Sequence, residues 1–362
     1  MECRLLYLVG QLGLGGLERQ LFYLVGSMDR QRYKPVVAVW GNSPDDHYAQ
    51  ELRALDVPVV RLGENPTRAA KLRALLDLAY KVRPEVIHSY TFYTNMAAWL
   101  AAQRTKAIPI GSVRNNFIRD RQATGKLFGR LCGRWPAAQI FNSTAAEINA
   151  KQTTTLFRPR RMYVVKNGVD LERFFPWSHP EAGYILAVGN LYARKRWDRL
   201  IRAVALLASK GKCPEVLLVG SGPLQEELET MAKDLQVSHL FRFLGARPDI
   251  PDLLAGAIFL VHTAEDEGCP NVVMEAMACN RAVVATDAGD VPYLIDHGKT
   301  GFVVPREDEA ALARNMAALL DDPELCRGMG DAGRKKAEQA FGIDRLRSET
   351  FCVYHAEGWE GR

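Results

Sequence analysis

Short apolar runs alternate with segments of helical spacing along the whole chain, and this rhythm restricts the fold more than any other feature. Seven runs fall in the first half, at 3–9, 35–40, 57–61, 85–89, 108–113, 137–141 and 162–165, and six in the second, at 184–189, 215–219, 240–244, 257–262, 282–286 and 301–304. Helical periodicity lies between them, as at 46–55, 68–82, 93–105, 197–209 and 224–235. Near-continuous Val, Ile and Leu strands alternating with helices imply parallel sheets covered on both faces. The fold class is therefore α/β, with two doubly wound Rossmann-like domains. A length of 362 residues suits two domains. With 48% hydrophobic and 25% charged residues, disorder, collagen and coiled coil are excluded as the main architecture. The longest apolar runs have strand length, well short of the ~20 residues that span a bilayer. The N-terminus reads as a first strand and not as a signal peptide.

Turn chemistry clusters at 166–183, from Asn167-Gly168 to Pro176, His179-Pro180 and Gly183. The expected division is an N-terminal domain over 1–168 and a C-terminal domain over 169–343. A helical tail over 344–362 is expected to pack back on the first domain. Ligands of open α/β sheets bind at the carboxyl ends of the strands, so two such domains are expected to face each other across a cleft. The seven cysteines are scattered and odd in number, with no C-x-x-C, which speaks against a disulfide framework or a structural zinc site and for a reducing cytoplasm.

The first strand runs into Gly10-Gln11-Leu12-Gly13-Leu14-Gly15-Gly16-Leu17-Glu18-Arg19. Glycines allow close backbone approach, and a helix N-terminus favours anions. A dinucleotide fingerprint counted from Gly13 would need its third glycine where Glu18 stands, and the second strand ends at Val39-Trp40-Gly41 without an acid. The loop is thus a poor NAD motif.

The segment Glu265-Asp266-Glu267-Gly268-Cys269-Pro270-Asn271-Val272-Val273-Met274-Glu275-Ala276-Met277-Ala278 follows an apolar strand. Gly268 and Pro270 mark a turn, with Pro270 suited to a helix start. Glu275 is the one charge in an apolar stretch and is costly to bury unless a hydroxyl or cation binds it. The amides of 270–272 would offer an anion site. The residues alone leave two readings of Glu267, as a ligand carboxylate or as a solvated acid of the first helical turn.

With its seven-residue spacing, Glu267-x7-Glu275 resembles the E-x7-E signature of the retaining glycosyltransferases of family 4, which have the GT-B fold. The resemblance extends over nearly the whole chain. Gly13-x-Gly15-Gly16-Leu17-Glu18-Arg19 is similar to the family's N-terminal glycine loop, and Val165-Lys166-Asn167-Gly168-Val169-Asp170 to its interdomain stretch. Further similar pieces are Val219-Gly220-Ser221-Gly222-Pro223, Phe243-Leu244-Gly245, Asp287-Ala288-Gly289-Asp290-Val291-Pro292 and Gly298-Lys299-Thr300-Gly301.

The resemblance implies a metal-independent hexosyltransferase that moves a sugar from a nucleotide diphosphate sugar, with UDP the commoner donor. Glu267 would hold donor-sugar hydroxyls and Glu275 the ribose. Gly268, Pro270 and the amides around Asn271 and Val272 would take the sugar or the distal phosphate, and Gly15-Gly16 would approach the diphosphate. Gly245 and Arg247 would bound the base. Lys195 would neutralise the leaving group. The Arg that members carry right after the glycine of the first strand of the second domain is Asn190 here, following Gly189, with Arg194 the substitute. No cofactor and no metal is expected, since Arg and Lys do the neutralising and no strict D-x-D occurs. His88 is expected to be catalytic at its strand end, although Tyr90 stands where many members have a second His, and Arg114 is expected to face the acceptor. The alternative is a nucleotide-sugar isomerase or hydrolase of the same fold, resembling a 2-epimerase.

The net charge of +5 is uneven. Residues 1–175 carry 26 Lys and Arg against 14 Asp and Glu, and the remainder 21 against 28. From Arg114 to Trp135, six basic residues meet the single acid Asp120, and Leu127, Leu131 and Trp135 recur every four residues. As a helix this is an apolar stripe flanked by cations, which either packs on the sheet or lies on an anionic membrane. The resemblance implies a sugar, a small molecule or a lipid-linked or polysaccharide precursor as acceptor, and the basic stripe points to a peripheral contact at the inner face of the membrane. A nucleic-acid partner is not expected, because basic residues and aromatics cluster only in this short stretch.

Overall fold

A computed structural model describes residues 2–361 except 42–45, 65–66, 177–182 and 212–213. The turn at His179-Pro180 and the cysteine Cys213 lie outside the described residues. The chain forms two compact units, Met1–Gly168 with Ile343–Arg362, and Val169–Gly342.

The first unit is built on β1 (Cys3–Val9), α1 (Gly16–Gly26), β2 (Tyr33–Val39), α2 (His47–Ala54), β3 (Val59–Arg61), α3 (Arg68–Val82), β4 (Val86–Ser89), α4 (Asn95–Thr105), β5 (Ile108–Val113), α5 (Phe117–Ala123), α6 (Lys126–Arg134), β6 (Ala138–Phe141), α7 (Thr144–Gln152) and β7 (Arg161–Val164). Its strands form one parallel sheet in the order β3-β2-β1-β4-β5-β6-β7. The order reverses direction at β1 and β4, and in doubly wound sheets the carboxyl ends at such a reversal hold the ligand.

The second unit comprises β8 (Tyr184–Val188), α8 (Trp197–Ala208), β9 (Val216–Val219), α9 (Gln225–Asp234), β10 (Phe241–Gly245), α10 (Ile250–Gly256), β11 (Ala257–His262), α11 (Asn271–Ala278), β12 (Ala282–Thr286), α12 (Val291–Leu294), β13 (Gly301–Val304), α13 (Glu309–Asp321) and α14 (Pro323–Ala340). Its parallel sheet has the order β10-β9-β8-β11-β12-β13, with the reversal at β8 and β11. In both units the strands are apolar on both faces because helices cover both, and each fully buried Val, Leu or Ile contributes about 1.5–3 kcal/mol. The last helix, α15 (Ile343–Ala356), returns to the first unit. There Leu346, Val353, Tyr354 and Trp359 join the core beside Leu5, Tyr7 and Val9 of β1.

One sequence expectation is corrected here. Residues 114–135 do not form a single helix. The chain breaks between α5 and α6 at Gly125, whose φ of 94° suits glycine and stops the helix. Nor is the stripe uniform: Cys132 is buried, while Leu127 and Phe128 are 65% and 47% exposed. Among the described residues no helix is long and apolar enough to cross a membrane.

Candidate functional site

In the second unit the chemistry gathers at the carboxyl end of β11. The strand ends at His262, and the chain crosses the sheet edge through 263–270 before entering α11. Two neighbouring loops fix this crossing. Gly289, after β12, has φ +56° and lies so close that a Cβ there would meet the carbonyl oxygens of Glu267 at 2.2 Å and Gly268 at 2.5 Å, while the amide of Asp290 donates to Gly268 O at 2.9 Å. Only glycine fits that position. On the other side the amide of Glu265 donates to Arg194 O at 2.8 Å. The Glu265 carboxylate is gripped by Arg199, which is 1% exposed and also holds Glu307 at 2.8 Å, and by Arg196 at 3.2 Å. Two acids thereby offset the charge of a buried guanidinium that would otherwise be very costly, while its Nε and Nη1 have no hydrogen-bond partner among the described residues.

This frame brings Glu267 and Lys195 into a direct ion pair, and His262 Nε2 lies 3.7 Å from the same Glu267 oxygen. Burial would raise the Glu267 carboxyl, but Lys195, His262 and Arg194 outweigh it and hold the group below the ordinary carboxylate range. His262 is fully buried, and neither ring nitrogen has a hydrogen-bond partner among the described residues. Burial, reinforced by Lys195 and opposed by Glu267, pushes its imidazole down to about 4, so it is neutral at pH 7. Thr263 Oγ1 donates to Lys195 O at 2.9 Å, tying the lysine's backbone to the end of β11.

Pro270 precedes α11 at the N-cap position and offers no side-chain cap, and a helix N-terminus favours an anion. Asn271 and Val272 open this helix, Gly268 and Pro270 are buried beneath it, and Glu275 on its second turn is 3% exposed. Asn190 and Arg194 are exposed near Lys195. Gly245 ends the edge strand β10, with its carbonyl accepting from Gly220 N at 2.8 Å. Arg247 is exposed and engaged with Asp249.

The first unit treats its expected site residues differently. Gly15 precedes α1, and the group nearest to it is the buried carboxylate of Glu18, which fills the space where a Cβ would go. Gly16 starts the helix. His88 is 1% exposed, with Nδ1 2.7 Å from Tyr354 Oη and Nε2 2.9 Å from Ser112 Oγ. Burial, with Arg114 adding to it, holds the imidazole well below its ordinary range. With both nitrogens engaged, none is left for a substrate, so the expected catalytic role does not fit the geometry. His88 instead ties β4 to β5 and α15. Arg114 follows β5 and lies over the ring of Tyr90, 3.9 Å from its centroid.

The sequence reading gives no site role to His262, Arg199, Glu265 or Gly289. His262 carried a signal, as a histidine closing an apolar strand directly before the acidic segment. Arg199 sits within a helical pattern that gives no hint of its burial.

The model for "Glycosyltransferase Family 4" matches residues 14–173, and that for "Glycosyl transferases group 1" matches 171–336. Among curated relatives, N-acetyl-alpha-D-glucosaminyl L-malate synthase of Bacillus anthracis is 28% identical over 56% of this chain and 53% of its own length. The D-inositol 3-phosphate glycosyltransferase of Streptomyces bingchenggensis is 28% identical over 76% of this chain and 67% of its own. The putative glycosyltransferase EpsD of Bacillus subtilis is 27% identical over 83% and 84%. The chain thus spans about half the length of the malate synthase. In fold it is similar to Anabaena HepE, solved in complex with UDP, with a TM-score of 0.83 and 20% identity over 98% of this chain and 100% of that one. Sucrose-phosphate synthase of Thermosynechococcus elongatus gives a TM-score of 0.82 at 18% identity over 98% of both chains. These likenesses show two parallel-sheet α/β domains of the GT-B kind. The matched families and relatives are transferases and synthases, and the isomerase alternative receives no support.

Proposed function

We propose that this chain, which belongs to glycosyltransferase family 4, transfers a hexose with retention from a UDP-sugar to a hydroxyl acceptor without a metal. The observation that carries this reading is the largely shielded Lys195–Glu267 pair, with Glu267 just before the start of α11 and Glu275 buried eight residues beyond. Related folds solved with UDP and with UDP-glucose support the choice of base. The relatives are named for different acceptors, L-malate and D-inositol 3-phosphate, and leave the acceptor of this chain open.

Glu267 accepts from donor-sugar hydroxyls, Glu275 from the ribose, and the amides of Asn271 and Val272 hold the distal phosphate. Gly245 and Arg247 border the base. As the bond from the anomeric carbon to the phosphate oxygen breaks, negative charge grows on the diphosphate, and Lys195 with Arg194 meets it. Preorganised charge of this kind accelerates a reaction because it needs no rearrangement when the charge develops. The acceptor oxygen attacks the same face of the sugar, and its proton passes to the departing phosphate.

The first unit contributes the acceptor side, and its exposed basic and apolar helix α6 rests on an anionic membrane at the cytoplasmic face. Leu127 and Phe128 enter the interface, with Lys126 and Arg130 at the headgroups.

A thermal-shift panel of UDP- and GDP-sugars tests the donor. Ligand at 100 times its Kd should add about 2.7 kcal/mol of stability. UDP-sugars should raise the Tm and GDP-sugars should not. No shift with any nucleotide sugar would overturn the reading.

A further inference from the structure

The carboxyl edge of the seven-stranded sheet holds a cation with no counter-ion. Arg114 is 7% exposed, and none of the described carboxylates forms an ion pair with it. Its charge is felt instead by Tyr90, His88 and Tyr354, which are all buried. Stacking on Tyr90 occupies the flat face of the guanidinium and leaves the in-plane N–H donors to find acceptors of their own. Nε and Nη1 have no hydrogen-bond partner among the described residues.

A second orphan lies one strand away. Val113 of β5 is in register with Phe141 of β6, and the amide of Asn142 donates to Val113 O at 3.1 Å. Arg114 and Asn142 therefore leave adjoining strands side by side. Asn142 is also buried, and its Oδ1 has no partner among the described residues. The helix α7 begins two residues later, with Ser143 as its cap, and its N-terminus adds positive potential.

An unmade buried hydrogen bond costs about 1–3 kcal/mol and more at a charged group. Two adjacent side chains bear that cost at the sheet edge where ligands bind. Serving the core alone does not explain it, because a leucine or methionine would pack against Tyr90 without it.

We propose that Arg114 and Asn142 form a subsite for an anionic group, a carboxylate or phosphate, carried by the acceptor. Arg114 donates in-plane N–H groups to two oxygens of the anion. Asn142, rotated to present its NH2, donates to one of them. The anion itself is argued from this unit alone, and only its assignment to the acceptor rests on the glycosyltransferase reading.

Isothermal titration of the full chain with inorganic phosphate, and separately with succinate, tests the subsite at constant ionic strength in chloride. One of the two should bind in the millimolar range, and the arm that binds identifies the anion class. Arg114→Gln should weaken it at least tenfold, Arg114→Lys by less, and Asn142→Leu should weaken it too. Lys195→Ala should leave it within twofold, which separates the subsite from the donor diphosphate site. UDP titrated into each Arg114 variant should bind as in the wild type, which also reports a folded chain. Binding of neither anion, or equal binding by Arg114→Gln, would overturn the proposal. Loss of the phosphate signal in Lys195→Ala alone would do the same. A chain that binds the anion but not UDP would instead overturn the donor reading and leave the subsite standing.

Discussion

The carboxyl edges of the two sheets manage charge in opposite ways. In the second unit the less exposed cations near the strand ends meet acids: Lys195 meets Glu267, and Arg199 and Arg196 meet Glu265. In the first unit His88 is closed off by two hydroxyls and Arg114 is left uncompensated. A compensated edge stays stable without ligand and can exchange partners when one arrives, Lys195 passing from a carboxylate to a diphosphate. An uncompensated edge is costly when empty and selects the sign of what fills it. The two edges thus suit the two substrates proposed for them.

The largest expected effect breaks the compensated edge. Glu267→Gln removes a carboxylate from beside Lys195 and His262, and Lys195→Ala removes the cation from the leaving group. Loss of one preorganised donor costs about 100- to 1000-fold in rate. Each variant should lower kcat/KM by that order, measured as acceptor-dependent UDP release, and Lys195→Ala should also weaken UDP binding. A drop of less than tenfold in both would mean that the pair is only structural. If Arg194→Ala does more damage than Lys195→Ala, the exposed cation is the one that meets the diphosphate.

A smaller effect concerns His262, a buried group of the second edge whose ring nitrogens have no hydrogen-bond partner among the described residues. Its imidazole titrates near 4 in the folded chain and near 6.5 when unfolded. Below pH 6.5 the unfolded chain binds a proton that the folded chain does not, so stability falls as the pH drops from 6.5 towards 4. One pKa unit corresponds to about 1.4 kcal/mol, which gives a loss of roughly 3 kcal/mol over this window. His262→Gln should flatten the decline. Thermal unfolding at pH 7.5 and 5.0 should show the Tm of the wild type falling further than that of the variant. Equal declines would mean that the imidazole does not set the acid side of the stability profile.

The strands and helices of both sheets were legible because they depend on local pattern: continuous apolar runs for buried parallel strands, and 3.6-residue periodicity for the covering helices. The segment from Glu265 to Ala278 was legible for a similar reason, since a turn signal and an isolated acid stand close together in the chain. What was not legible depends on distant residues. Pairing of Lys195 with Glu267 spans 72 positions, and that of His88 with Tyr354 spans 266. A histidine at a strand end looks the same in sequence whether its nitrogens face a substrate or two buried hydroxyls. Gly289 reads as an ordinary turn glycine until its carbonyl neighbours are known. The break at Gly125 was missed because the four-residue recurrence of Leu127, Leu131 and Trp135 continues the helical rhythm on its far side.

The smallest expected effect extends the comparison from the strand ends to the outer surfaces. The first half of the chain is strongly basic and the second acidic. On α6 the exposed Leu127 and Phe128 stand beside Lys126 and Arg130, and Arg68 lies against the Phe128 ring at 5.4 Å. An apolar stripe that packed on the sheet would bury these two side chains, and the structure leaves them in solvent. Each basic residue near an anionic leaflet adds about 1 kcal/mol, or roughly fivefold in partitioning. Cosedimentation with vesicles rich in anionic lipid should therefore exceed that with neutral vesicles and fall as salt rises. Lys126→Ala and Arg130→Ala should each lower partitioning roughly fivefold, and Phe128→Ser should lower it at every salt concentration because its contribution is not screened. Equal sedimentation with anionic and neutral vesicles would leave the basic face as a solvated one, and the difference between the units would then end at their strand edges.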